Sequence, residues 1–210
     1  MLGIVNYSGF VIAGIILNLT PGADTMYILT RSVSQGKRAG YYSVFGIGTG
    51  ALIHTTLGSL GLSLILAKSA TAFLIVKYLG VGYLVYLGVK MILAKNNQFD
   101  NDKQKLEKLD LKKIYRQGVI TNVLNPKVAL FFIAFIPQFI DPYYAKGPLP
   151  FLLLGLTFMT TGSLWCLFLA YSSSWITRML RGNDKIGKYM QKISGLIFIG
   201  LGLRLLLNEK

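Results

Sequence analysis

Asn18-Leu19-Thr20-Pro21-Gly22-Ala23-Asp24 and Asn122-Val123-Leu124-Asn125-Pro126-Lys127 each set a proline inside a long apolar run, one in each half of the 210-residue chain. Within a helix a proline removes one backbone hydrogen bond and crowds the carbonyl four residues earlier. In hydrocarbon a polar group freed in this way has to find its partner inside the protein, so interrupted helices belong where they are buried or line a cavity. Two interruptions in matching positions of two halves mark a binding site between them.

The surrounding runs read as membrane spans. The chain is 53% hydrophobic and 14% charged, with the charges gathered into short stretches between apolar segments at about 7–30, 40–67, 70–94, 117–140, 148–176 and 190–207. Most reach the ~20 residues that a spanning helix needs. The expected fold class is an all-α integral membrane protein of six transmembrane helices, the first and fourth of them broken. Lys77 and Lys90 bracket the third segment and Lys192 and Arg204 the sixth, positions from which long side chains snorkel to the interface. A five-helix topology, with one of these two lying in the interface, is the alternative.

The net charge of +14 does not point to nucleic acid, because of where the charges sit. With six spans, Arg31, Lys37, Arg38, the run from Lys90 to Arg116, and Arg178, Arg181, Lys185, Lys188 and Lys192 all fall on one side, against Lys68, Lys77, Lys146, Arg204 and Lys210 on the other. The positive-inside rule then puts these basic loops in the cytoplasm, facing the lipid bilayer of the cell membrane, and both termini outside. The first apolar run has neither a basic stretch before it nor a small-residue cleavage pattern after it, so it reads as a retained helix. Cys166 is the one cysteine and His54 the one histidine, which disfavours a redox pair or a metal site of soft ligands. No cofactor is implied.

The longest connection divides the chain into a first three-helix unit (1–94), a polar, charged cytoplasmic linker (95–116) and a second three-helix unit (117–210). Leu106, Leu109 and Ile114 recur among lysines in the linker as on a short surface helix. The halves share an order of features: Pro21 and Pro126, then Thr49-Gly50 and Thr161-Gly162, then Leu87-Gly88 and Leu201-Gly202. An odd number of spans per half inserts the second copy upside down, giving two inverted three-helix repeats.

Pro21 lies ten residues before Arg31 and Pro126 ten residues after Arg116. If each arginine marks the cytoplasmic end of its segment, both breaks lie ~15 Å deep, near the midplane of a ~30 Å core. Thr20 and Asn125 are expected to cap new helix starts, with proline at the first helical position. Free N–H groups and positive dipole ends there, at Pro21-Gly22 and Pro126-Lys127, suit a carboxylate. Asn18, Thr20, Asn122 and Asn125 are candidates for polar contacts to it. Asp24, one turn past the first break, needs a partner: Lys127, the ammonium of a zwitterionic substrate, or a transported proton. His54 lies beyond Gly46-Ile47-Gly48-Thr49-Gly50, a face spaced for close helix packing. It either relays protons or bonds to a neighbouring helix.

Those motifs, with Phe131-Phe132 and Pro137-Gln138-Phe139, resemble the LysE/RhtB amino-acid exporters over nearly the whole chain. The Asn-Pro-Lys at the centre of a span is the most specific part. The resemblance implies proton-driven export of amino acids or close derivatives by a small six-span protein that forms a homodimer. The first motif of that family usually has a second proline after the glycine, where this chain has Ala23. The reading is therefore a secondary transporter working by alternating access, not an enzyme, since no nucleophile–base pair accompanies Ser172-Ser173-Ser174. A passive channel is the nearer alternative, because midplane breaks also line pores.

Overall fold

A computed structural model describes residues 3–68, 70–93, 109–141 and 147–181, together with scattered helical positions between 189 and 203. The described segments are helical throughout, apart from an isolated antiparallel bridge between Ile4 and Ile140.

Both prolines break their helices. α1 (Tyr7–Leu19) and α2 (Ala23–Gln35) are bent by 49° at Thr20-Pro21-Gly22, and α5 (Leu111–Val123) is bent by 45° against Pro126–Phe139. Each bent pair is long and apolar enough to form one broken span, as is the unbroken stretch Leu149–Ile176 of α7 (Leu149–Arg181). α3 (Lys37–Lys68) and α4 (Ala70–Leu93) coincide with the second and third apolar segments. The sixth segment and residues 95–108 lie largely outside the described residues.

α5 starts earlier than the apolar pattern implies. Asp110 caps it, its side chain accepting from the Lys113 N–H at 3.0 Å, so 111–116 belong to the fourth segment's helix rather than to a surface linker. Ile114 is accordingly not on a short surface helix of the linker. It is 2% exposed, and its carbonyl accepts the Tyr27 hydroxyl at 2.7 Å. The lysines around it mask a periodicity that the partner helix completes.

After Asn125, segment 4 runs as α6 (Pro126–Leu130), a π-helical turn (Phe131–Phe135) and a 3-10 turn (Ile136–Phe139). Pro137 accounts for part of this irregularity, since it has no N–H for the carbonyl of Ile133. The Gln138 side chain compensates next to it, donating to the Ala134 carbonyl at 2.5 Å. The end of the segment is tied to the N-terminal residues by Val5 N–H to Phe139 O and Asp141 N–H to Gly3 O, both 2.8 Å.

Glycines set the approach of α3 to α5. A Cβ on Gly118 would lie 2.9 Å from the Ser43 carbonyl oxygen and 3.2 Å from Gly46 Cα, and one on Gly46 would overlap the Tyr115 carbonyl. Backbones this close draw their stability from extended van der Waals contact, the main attraction between helices in lipid. Two apolar clusters flank the level of the breaks. One is aromatic, with Phe10, Phe131, Phe135, Phe139 and Phe158, and its Phe131 and Phe158 rings stack at 4.2 Å. The other is aliphatic, with Ile28, Leu29, Val44, Ile47 and Leu169.

Candidate functional site

The two breaks meet, and each is repaired from elsewhere in the fold. Pro21 leaves the Leu17 carbonyl without its helical N–H, and Lys127 Nζ donates to that oxygen at 3.1 Å and to Thr20 O at 2.8 Å. A cation there also meets the negative end of α1. Pro126 does the same to the Asn122 carbonyl, which accepts from His54 Nε2 at 3.2 Å and from the Asn125 N–H at 3.0 Å. An acceptor carbonyl means that Nε2 carries the proton. The His54 ring is further held by stacking on Phe132, at 5.6 Å between centroids.

The helix starts differ from the sequence expectation at one break and match it at the other. Thr20 is not a cap for α2: it ends α1, with its hydroxyl donating to Ile16 O at 2.9 Å, and Gly22 occupies the N-cap position with no side-chain bond. Pro21 therefore precedes the helix instead of opening it. The extra residue in the first break accounts for this, since Thr20-Pro21-Gly22 spans the gap that Leu124-Asn125 spans in the second. Asn125 does cap α6 with Pro126 at its first turn, but its side chain takes the Lys127 N–H at 3.0 Å and its carbonyl takes those of Val128 and Ala129. The first turn of α6 is thus satisfied internally, and the free donors expected there are not available to an anion.

Asparagines join the halves reciprocally. Asn18, near the end of α1, donates to Thr161 Oγ1 at 3.2 Å and lies against Gly162, where a Cβ would stand 3.0 Å from Asn18 Oδ1. Asn122, near the end of α5, lies against Gly50, where a Cβ would stand 2.7 Å from Asn122 Cβ. Each broken helix docks its asparagine on the Thr-Gly glycine of the opposite half.

Asp24 takes neither of two simple fates. Its Oδ2 accepts from Asn122 Nδ2 at 2.8 Å, while the Lys127 ammonium, within electrostatic range, is committed to carbonyls. Asn125 stands beside the carboxylate, yet Asn125 Nδ2 and Asp24 Oδ1 are both buried without closing a hydrogen bond. Toward the basic ends of the two segments, Arg31 Nη2 donates to Gln117 Oε1 at 2.7 Å, which puts Arg31 level with the neighbour of Arg116. The equal spacing of each break from its arginine is therefore realised in space.

A cavity of about 40 Å³ opens at this level, lined by Asn18, Asp24, Asn122 and Lys127 on the broken helices, by Val44, Ile47 and Ala51 on α3, and by Phe158, Gly162, Trp165 and Cys166 on α7. Thr20, Pro21, Gly22, Asn125, Pro126 and His54 are not among its lining residues and hold those that are. Sequence reading missed Trp165. Its signal was position: an indole in the middle of α7, far from the interfacial belts where tryptophans of membrane helices gather.

Broken spans that converge on a cavity holding Asp24, Lys127 and two asparagines, inside a helical protein built for lipid, define a membrane transporter. The description of the LysE type translocator family matches residues 15–209, and the chain belongs to that family. It is thus a transporter and not an enzyme. It is similar to the uncharacterised membrane protein YrhP of Bacillus subtilis, 37% identical over 89% of this chain and 91% of that one. It is also similar to the uncharacterised membrane protein PA4757 of Pseudomonas aeruginosa, 30% identical over 97% and 96%. The leucine efflux protein of Klebsiella pneumoniae is 29% identical over 97% and 95%. No solved structure matches the chain.

Proposed function

We propose that this protein exports amino acids from the cytoplasm across the cell membrane, by proton antiport and alternating access at the level of the two breaks. The observation that carries the reading is the Asp24 carboxylate, held by Asn122 across the junction of the two broken helices, with one oxygen unpaired at a cavity. An unpaired buried carboxylate is costly. A substrate ammonium or a proton relieves that cost, and exchange between the two couples export to the gradient. The names of the leucine efflux relatives support an amino acid as cargo.

Asn18, Asn122 and Lys127 face the substrate in this reading, while Thr20, Pro21, Gly22, Asn125 and Pro126 fix the backbone behind them. The start of α2 has no side-chain cap, and Asp24 in its first turn complements the positive dipole end there. His54 holds the Asn122 carbonyl and through it the Asp24 partner, a place from which it can also relay protons. The reciprocal docking of Asn18 and Asn122 on opposite halves supports two inverted three-helix repeats within six spans. A cavity of about 40 Å³ holds only a few waters, so loading requires the halves to part, as alternating access does. The charge distribution supports external termini, and the family resemblance a homodimer.

Reconstitution in liposomes tests the reading. Saturable export of an amino acid that rises with an imposed proton gradient is the expected result. Flux linear in concentration would make the protein a channel, and no flux of any amino acid would overturn the reading.

A further inference from the structure

Trp165 has an indole N–H that is buried without a hydrogen-bond partner, on a residue that lines the cavity. Indole is a donor only. A buried donor left unpaired keeps its full desolvation cost, which is why the N–H of a buried tryptophan usually finds an acceptor. The ring itself is well fixed, stacked on Phe168 at 5.4 Å and packed against the aliphatic cluster. Its polar edge is therefore positioned and unused.

Two unused acceptors belong to residues lining the same cavity, Asp24 Oδ1 and Asn122 Oδ1. Acceptors on the broken helices and a donor on α7 are the complement of a zwitterion, ammonium toward the first and carboxylate toward the second. The other anion-binding possibility in the second half, the start of α6, has its N–H groups occupied. The Lys127 ammonium keeps one of three protons after bonding Leu17 and Thr20, so it assists the carboxylate without leaving α1. Val44, Ile47 and Ala51 provide an apolar wall for the rest of the molecule.

We propose that the Trp165 indole N–H receives the carboxylate of the transported α-amino acid, while Asp24 and Asn122 receive its ammonium and an apolar side chain rests on α3. The proposal rests on the amino-acid reading above and adds the residue that distinguishes an amino acid from an amine.

The test compares leucine with leucinamide, which keeps the ammonium and side chain but has no carboxylate, as competing ligands of the full-length protein in proteoliposomes. Wild-type protein is expected to prefer leucine. Trp165→Phe keeps an aromatic ring and deletes the N–H: half-saturation for leucine should rise about tenfold while leucinamide changes less than twofold. Trp165→His, which restores an N–H, should recover part of the preference. An unchanged leucine-to-leucinamide ratio in Trp165→Phe overturns the proposal while leaving amino-acid export standing. Failure of the wild type to handle leucine or any other amino acid overturns both. A second measurement spares Trp165 altogether: with Trp175→Phe it is the sole tryptophan, and leucine should shift its emission where leucinamide does not. Equal shifts from both ligands, or none from either, count against the proposal.

Discussion

Lys127 Nζ donates to the Leu17 carbonyl at 3.1 Å, the carbonyl that Pro21 deprives of its helical partner. A charge in one half of the chain thus completes the backbone of the other. Charge-assisted hydrogen bonds of this kind contribute about 1.5–3 kcal/mol each. Lys127→Met should remove the ammonium from the Thr20 carbonyl, leave the Leu17 carbonyl only its 3.2 Å bond from the Thr20 N–H, and take the nearby ammonium from Asp24, lowering thermal stability in detergent. Adding Asp24→Asn should recover part of that loss, because the uncompensated carboxylate is gone. Strict additivity of the two changes, read in a double-mutant cycle, would show that the residues do not feel each other.

Asp24→Asn keeps an oxygen for the Asn122 amide and removes the ionisable group. The expected result is a folded protein with wild-type melting behaviour whose efflux no longer responds to the proton gradient. Gradient-driven efflux with the wild-type pH dependence in this variant would remove Asp24 from coupling.

His54 separates a structural role from a relay by a conservative change. The Gln side-chain amide can still donate to the Asn122 carbonyl, whereas Leu cannot. His54→Gln should retain most export, and His54→Leu should lower stability by about 0.5–1.5 kcal/mol, the net contribution of one hydrogen bond, because the Asn122 carbonyl keeps the Asn125 N–H. Well-folded but uncoupled His54→Gln protein would instead assign a proton relay.

The α3–α5 crossing gives a steric prediction independent of transport. Gly46→Ala drives a methyl into the Tyr115 carbonyl, a backbone atom that cannot swing away, and should cost about 1–3 kcal/mol. Gly61→Ala, with nothing within 4 Å of the added carbon, should be neutral. Equal melting temperatures for the two variants would refute the close packing.

Gly50→Ala probes the reciprocal docking. Its methyl would meet Asn122 Cβ at 2.7 Å and Oδ1 at 2.8 Å, displacing the asparagine that holds Asp24. Export should fall at least tenfold, and Gly162→Ala, whose methyl meets Asn18 Oδ1 at 3.0 Å, should act more mildly. A variant at Gly50 with unchanged export would separate the Asn122 packing from function.

The sequence by itself determined the helical, membrane-fitted character of the chain, the two breaks and their common level. Hydrophobic length, proline chemistry and the spacing of Pro21 and Pro126 from Arg31 and Arg116 are local properties, written along the chain. It also marked Asp24 and Lys127, since charges in apolar runs are conspicuous wherever they end up. Only the tertiary structure decided what those groups touch. Whether Lys127 meets Asp24 or the end of α1 depends on how the fourth segment is rotated against the first, and one sequence does not encode that rotation in any single stretch. The same holds for His54 on the Asn122 carbonyl, for Ile114 buried behind lysines, and for Trp165. Its place in the middle of α7 is conspicuous in the sequence, but that it lines the cavity with its indole N–H unpaired depends on how α7 packs against the broken helices.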